Sequence, residues 1–301
     1  MALGAGLWGL HRLAHLAILR GLRAPRVPHD GSMALPGLPQ QGLQKLQLQG
    51  PGGSRLVAWL ALPAHAPAAG APAVLVMHGW GANASMMGPV VAPLLDAGMA
   101  VLLLDARCHG ESDDAAFTSM PRFAEDIAAG LHWLQSRSGI DGSRIALIGH
   151  SVGAGAALLH AAHTRTAQPV RAVVSLSAFA QPQEVMRRWL AAHRLPYPVI
   201  GWYVLRHVQA VIGASFDDIA PLHTIAAVTC PVLLVHGRDD STVPFSDALR
   251  LQRAAQHAEL LAVAGDHDLR EEMAPQSAAI IDFLQRALAA GPARPAADFA
   301  G

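Results

Sequence analysis

Ser151 lies in the segment Gly149-His150-Ser151-Val152-Gly153, where its hydroxyl could serve as a nucleophile. The apolar residues 145–148 before it are typical of a buried strand, and a run of small residues typical of a helix follows it. Gly-x-Ser-x-Gly between a strand and a helix predicts a sharp turn that exposes the serine hydroxyl above a parallel sheet. The glycines are needed because larger side chains would collide across such a turn.

A serine hydroxyl is a weak nucleophile at neutral pH, so this chemistry also needs a base and an acid that orients the base. Histidine is the usual base, and the chain has 16 histidines, so residue type alone decides little. His267 follows the apolar run 259–263, while Asp239 and Asp240 follow the run 231–235. An open parallel sheet binds ligands at the carboxyl ends of its strands, where these residues are expected.

Buried apolar strands alternate with helices along the chain, which predicts an α/β fold with a mostly parallel sheet covered on both faces. Residues 43–48 and 55–62 are predicted to form a hairpin at the sheet edge, around a glycine-rich turn. The stretch 181–222 interrupts the alternation and is too long for a simple connection, so we predict a helical insertion there. The domain is expected to span 43–290, followed by a disordered tail over 291–301.

Residues 1–42 are predicted to form an N-terminal helix and a linker ahead of the domain. Leu7, Leu10 and Leu13 could line one face of this helix. One interpretation is a helix that lies at a membrane surface, and the other, which we prefer, is a helix packed on the body of the protein. A secretory signal is not indicated, because no charged residue precedes the apolar stretch.

Composition further narrows the possible classes of fold and function. The chain has 301 residues with 22 basic and 22 acidic side chains, which suits one large α/β domain and gives no argument for nucleic-acid binding. Two cysteines at unrelated positions suggest neither a metal site nor disulfides, so a reducing, cytoplasmic compartment is expected. No apolar run approaches the roughly 18 residues that span a bilayer.

Five motifs at the predicted strand ends resemble those of the α/β-hydrolase superfamily, over residues 43–288. They are His78-Gly79-Trp80-Gly81, Asp105-x-Arg107-x-His109-Gly110-x-Ser112, Gly149-x-Ser151-x-Gly153, His236-Gly237-x-x-Asp240 and Gly265-x-His267. Serine, aspartate and histidine follow one another in that superfamily's order. The chain looks closest to bacterial serine hydrolases grouped with serine aminopeptidases and monoglyceride-lipase-like esterases. It departs from them at Cys108, where glycine is usual.

The resemblance implies a role for each candidate residue. Ser151 would be the nucleophile, His267 its base and Asp240 the acid, with Asp239 as the less favoured alternative on the motif spacing. The backbone N–H groups of Trp80 and Val152 would form the oxyanion hole.

The insertion over 181–222 is expected to act as a lid that sets specificity. Aromatic side chains there, together with Trp80, could line a substrate pocket, the candidates being Trp80, Trp189, Trp202 and Tyr203. The alternative is that each of them only packs the lid onto the core.

The resemblance predicts a serine hydrolase that cleaves a small carboxylic ester through an acyl-enzyme, without metal or cofactor. Amides, thioesters and lactones remain open as substrates because the same machinery serves them. Two alternatives are an acyltransferase or lyase with the same triad, and a non-catalytic protein of this fold that binds a ligand.

Overall fold

The structure is a computed structural model that describes residues 2–29, 42–65, 67–163 and 170–289. Most of the predicted linker and all of the predicted tail over 291–301 lie outside these residues.

Among the described residues, eight strands form one sheet. They are β1 Leu43–Gln49, β2 Arg55–Ala61, β3 Ala71–Met77, β4 Ala100–Leu104, β5 Ile140–His150, β6 Val173–Leu176, β7 Val232–Gly237 and β8 Ala258–Val263.

Helices connect the strands and cover the sheet. The α-helices are α1 Ala2–Gly21, α2 Val91–Asp96, α3 Met120–Gln135, α4 Val152–His163, α5 Pro182–Ala192, α6 Trp202–Ile212, α7 Phe216–Ile219, α8 Pro221–Thr224, α9 Phe245–Ala254 and α10 Arg270–Ala289. A 3-10 helix at Ala84–Val90 precedes α2, and a π-helical turn at Tyr197–Gly201 precedes α6.

The strand order is β1-β2-β4-β3-β5-β6-β7-β8. The pairs β1–β2 and β2–β4 are antiparallel, and every other neighbouring pair is parallel. The predicted hairpin is confirmed as β1 and β2, with β1 at the sheet edge. The mostly parallel α/β fold is confirmed as well, and it brings the carboxyl ends of β3 to β8 to one edge of the sheet.

Both faces of the sheet are buried, which explains why β3 and β4 are apolar at every position. On β3, Leu75 and Met77 belong to the core on one face, whereas Val74 and Val76 belong to the core on the other. This division follows from the two-residue period of a strand. The two cores hold β5 rigidly between β3 and β6, so the turn that follows β5 rests on a fixed base.

The segment between β6 and β7 contains helices α5 to α8, and α1 packs on α6 of this segment. His15 Nδ1 lies 2.9 Å from His207 Nε2, and His11 Nδ1 lies 3.0 Å from Tyr203 Oη. Ile18 is buried in the same contact region. These contacts agree with the preferred interpretation, in which α1 packs on the body of the protein. Within the described ranges, no helix combines the length and the apolar character needed to cross a membrane.

Candidate active site

Ser151 occupies a strained turn between β5 and α4. Its φ of 52° lies in the left-handed region, which L-residues other than glycine rarely adopt. α4 starts immediately after it and runs tightly against β3. A Cβ placed on Gly153 would lie 2.3 Å from His78 O and 2.6 Å from Met77 O, both main-chain atoms. Only glycine fits there, so the motif's second glycine allows α4 to begin directly behind the serine.

The structure brings Ser151, His267 and Asp240 together from three loops. His267 Nε2 lies 3.0 Å from Ser151 Oγ, and His267 Nδ1 lies 2.8 Å from Asp240 Oδ2. A carboxylate only accepts, so Nδ1–H donates to Asp240 and Nε2 is left to accept the serine proton. This is the arrangement in which a histidine can deprotonate a serine.

Asp240 is held by its own turn, with its side chain fully buried. Its Oδ1 accepts hydrogen bonds from the N–H groups of Thr242, at 2.9 Å, and Val243, at 2.7 Å. Burial by itself would raise the pKa of Asp240, but hydrogen bonds from His236, His267 and the Val243 N–H outweigh it and lower the pKa well below the usual range. The carboxylate is therefore ionised and faces His267.

Asp239, the alternative acid, is exposed to solvent, and its main-chain N–H donates to Gly265 O at 3.1 Å. His236 is buried at the end of β7, with Nε2 2.8 Å from Val243 O and 3.3 Å from Asp240 Oδ2. Of the two neighbouring aspartates, only Asp240 contacts His267.

Two residues that the sequence did not single out fix the His267 loop. Asp266 accepts hydrogen bonds from the N–H of Ser241 at 2.8 Å and of His267 at 2.7 Å. Its carboxylate therefore joins the loop of the acid to the loop of the base, and these bonds lower the pKa of Asp266. An aspartate next to the histidine was the available signal, since aspartate readily bonds nearby main-chain N–H groups.

His150 is the second such residue. Its Nε2 donates to the carbonyl oxygen of His267 at 2.9 Å, and the two rings lie 5.0 Å apart. Burial lowers the pKa of His150 to about 4, so the ring is neutral and carries its proton on Nε2. His150 occupies the first variable position of the Gly-x-Ser-x-Gly motif, and its hydrogen bond helps to hold the backbone of His267.

The loop after β3 reaches the same place. A Cβ placed on Gly79 would lie 3.3 Å from Ser151 Cβ. The backbone just before Trp80 therefore passes close to the serine. Val152 is the first residue of α4. The N–H groups of a helix's first turn have no partner within the helix, and the helix dipole makes this end attractive to negative charge.

Two buried histidines hold the backbone on either side of Trp80. His78 Nε2 accepts from the N–H of Ala106 at 3.1 Å, which leaves Nδ1–H to donate to Gly79 O at 2.7 Å. His109 Nε2 accepts from the N–H of Gly81 at 3.1 Å. Burial lowers the pKa of both rings, to about 4 for His109, so they stay neutral and keep an accepting nitrogen.

A cavity of about 140 Å³ lies against this site. Gly79 and His150 form its wall toward Ser151, and its lining is predominantly apolar. The remaining lining residues are Ala82, Met86, Met87, Pro89, Val90, Leu176, Asp268, Leu269 and Arg270. An engineered cavity of similar size, about 150 Å³, binds benzene in another protein, so this one suits a compact apolar group.

The predicted pocket residues do not line this cavity. Tyr203 bonds to His11 of α1, Trp189 stacks on His193 with ring centroids 4.0 Å apart, and Trp202 is 59% exposed. The assignment of these three aromatic residues to a pocket is therefore not supported. For Tyr203, the assignment overlooked α1, which packs on α6. Trp80 is partly exposed beside the site, with its ring 6.0 Å from His109.

Cys108 replaces the glycine usual in related proteins and has a φ of 66°, so it accepts the left-handed conformation that the loop imposes. Its thiol is buried, and its sulfur accepts from the N–H of Ala115 at 3.2 Å. The residue anchors the loop at 105–115.

Comparison with known proteins places this geometry among hydrolases. Residues 69–214 match the family model described as serine aminopeptidase, S33. An uncharacterized protein of Mycobacterium tuberculosis is 34% identical over 203 residues, which cover 67% of this chain and 64% of that protein. The aligned region thus spans less than two thirds of that relative.

Solved esterases share the fold. An esterase of Pyrococcus furiosus superposes with a TM-score of 0.65 at 20% identity, covering 88% of this chain and 96% of the esterase. Est1E of Butyrivibrio proteoclasticus, solved with ferulic acid bound, gives a TM-score of 0.67 at 21% identity and covers 81% of this chain and all of that one. Together with the strand order and the serine turn, these similarities show that the chain has the α/β-hydrolase fold and that residues 69–214 resemble the serine aminopeptidase group.

Proposed function

We propose that the protein is a serine hydrolase that cleaves a carboxylic ester through an acyl-enzyme intermediate. The observation that carries this proposal is the continuous hydrogen-bonded path from Ser151 Oγ through His267 to the buried, ionised Asp240. In the first step Ser151 Oγ attacks the ester carbonyl while His267 Nε2 takes the serine proton. The Asp240 carboxylate stabilises the imidazolium that forms.

The developing oxyanion would be bound by the N–H groups of Trp80 and Val152. This assignment is supported by the approach of Gly79 to Ser151 and by the position of Val152 at the start of α4. His267 then returns its proton to the leaving alcohol, and a water activated by the same histidine releases the acid. Main-chain donors held by the fold would need little reorganisation as charge develops.

The cavity beside His150 and Gly79 supports a substrate with a compact apolar group next to the ester carbonyl. A volume of about 140 Å³ accommodates a group of benzene size but not an extended fatty-acyl chain. We therefore expect kcat/KM for p-nitrophenyl esters to be highest for the acetate and butyrate and to fall for longer chains.

The test measures these esters with the wild type and with Ser151→Ala. Ser151→Ala is expected to lose activity on every ester, by about 10⁴-fold or more. Hydrolysis that persists in the folded Ser151→Ala variant would overturn the proposed mechanism. A preference for long acyl chains would overturn only the assignment of the cavity.

A cytoplasmic location is part of the proposal. Cys108 and Cys230 are both free, and Cys108 is buried, which suits a reducing compartment. Rapid alkylation of lysed cells should find both thiols reduced, and a modified or disulfide-bonded population would argue against this location.

A further inference from the structure

Exposed apolar side chains are concentrated on one part of the molecule. Ten large ones are exposed among the described residues, and eight of these lie on α1 or on the segment between β6 and β7. We call these eight the cap surface: Trp8, Leu10, Leu13, Leu16, Trp189, Val199, Ile200 and Trp202. Of the other two, Trp80 lies at the candidate active site and Leu62 follows β2.

On α1 several apolar residues face away from the protein. His15 and Ile18 face the body, whereas Leu13 and Leu16, on the opposite side of the helix, are 66% and 58% exposed. Packing against α6 therefore leaves an apolar face of α1 in water. A monomeric protein rarely leaves a large apolar patch in water unless something binds to it.

The charges on these elements are predominantly positive. α1 contains Arg12 and Arg20 and no acidic residue, and residues 185–216 contain four arginines and no acidic residue. Of the acidic residues on either side of this stretch, Glu184 pairs with Arg250 at 2.8 Å, and Asp217 and Asp218 lie on α7. These four are Arg187, Arg188, Arg194 and Arg206. Arg12 stacks over Trp8 at 5.5 Å and Arg187 over Tyr197 at 4.4 Å, so cations are interleaved with the aromatic rings.

We propose that the cap surface docks on an anionic lipid bilayer, with α1 lying in the plane of the interface. Tryptophan and leucine would enter the boundary between head groups and acyl chains, and the arginines would pair with lipid phosphates. A second copy of the chain fits less well, because a two-fold interface would bring identical arginine-rich surfaces face to face. A bilayer with anionic lipids offers acyl chains to the apolar side chains and negative charge to the arginines.

Vesicle sedimentation tests the proposal. The wild type is expected to sediment with vesicles of phosphatidylcholine mixed with phosphatidylglycerol and far less with phosphatidylcholine alone. Binding should weaken when salt is raised from about 0.1 M to about 1 M, because the screening length falls from about 10 Å to about 3 Å. Ser151→Ala should bind as the wild type does, so this result does not depend on the proposed hydrolytic function.

Two variants make the test specific. Leu13→Glu with Leu16→Glu is expected to reduce the bound fraction by about tenfold or more, because it places carboxylates on the outer face of α1. Leu62→Glu introduces the same change at an exposed leucine off the cap surface and should bind as the wild type does. The circular dichroism of each variant should match the wild type.

Three outcomes would overturn the proposal. The first is no preference of the wild type for anionic vesicles, and the second is equal loss of binding in the Leu62→Glu control. The third is a wild-type dimer that does not bind vesicles and that Leu13→Glu with Leu16→Glu dissociates, which would assign the surface to a second copy.

Discussion

Ser151, His267 and Asp240 are fixed by main-chain hydrogen bonds on loops of the parallel sheet, whereas α1 and α6 meet through side-chain contacts. At the site, Val243, Thr242 and Ala106 donate backbone N–H groups to catalytic or supporting side chains. At the cap, the contacts join side chains such as His15 and His207. The first region specifies one geometry, and the second leaves apolar surface exposed. The difference matches a site that must be rigid and a surface that binds something outside the protein.

Replacing each of the two neighbouring aspartates by asparagine in turn should give the largest difference in activity. Asp240→Asn should lower kcat by about 10⁴-fold, because the amide cannot stabilise the imidazolium and favours the wrong tautomer of His267. Asp239→Asn changes an exposed side chain and should leave kcat within about twofold. Steady-state kinetics on one ester measures both variants. Equal losses in the two variants would contradict the assignment of the acid.

Asp266 tests whether the link between the acid and base loops matters. Asp266→Ala removes the acceptor for the N–H groups of Ser241 and His267, and the resulting shift of the base should lower kcat by up to about 100-fold. Asp266→Asn keeps an accepting oxygen and should retain most of the activity. KM should change little in either variant. If alanine and asparagine behave alike, the acceptor is not what positions His267.

A third comparison introduces the same methyl group into each region. Gly153→Ala should destabilise the protein by about 1–3 kcal/mol, because its Cβ would overlap carbonyl oxygens of β3 and push α4 away. A Cβ on Gly9 of α1 would meet no atom within 4 Å. Gly9→Ala should therefore stabilise α1 by up to about 1 kcal/mol through helix propensity. Urea unfolding measures both changes, and a destabilised Gly9→Ala would show that α1 is packed more tightly than the structure indicates.

Buried histidines give an effect that appears only when the pH is lowered. Burial lowers the pKa of His109, His150 and His160 to about 4, from an ordinary value near 6.5. Between these values the unfolded chain binds protons that the folded protein excludes, so stability falls as the pH drops through this window. Each histidine contributes up to about 1.4 kcal/mol per pH unit. Asp240, whose folded pKa is lowered, contributes in the same direction but only at lower pH, as its carboxylate becomes protonated.

His160 isolates one such contribution, because its Nε2 is buried and has no hydrogen-bond partner among the described residues. His160→Leu should retain the fold and reduce the slope of unfolding free energy against pH by about one proton between pH 6.5 and pH 4. Urea titrations at several pH values give this slope. An unchanged slope would mean that His160 is protonated in the folded protein.

The two regions also differ in how far the sequence predicts them. The serine turn could be predicted because the steric demand at Gly149 and Gly153 leaves a visible pattern, and apolar strands on either side give its position. The order of the motifs pointed to Asp240 and His267. Asp266 and His150 were missed because their roles depend on which main-chain groups meet when separate loops approach, which no spacing encodes.

At the cap, the aromatic residues of 181–222 carry no comparable pattern. An aromatic side chain in a helix suits a pocket, a core or an interface equally well. The contact of Tyr203 with His11 became visible only after α1 was located on α6. Of the two interpretations of α1, packing on the protein agrees with its contacts to α6, and contact with a membrane stays a prediction for its exposed face.

Labelling with a fluorophosphonate probe tests the central claim most directly. Such probes react with a serine that an adjacent base activates, so the wild type should bind one equivalent at Ser151, as located by mass spectrometry of the labelled peptide. The folded Ser151→Ala variant should remain unlabelled. Absence of labelling in the folded wild type, or labelling that persists in Ser151→Ala, would contradict the account.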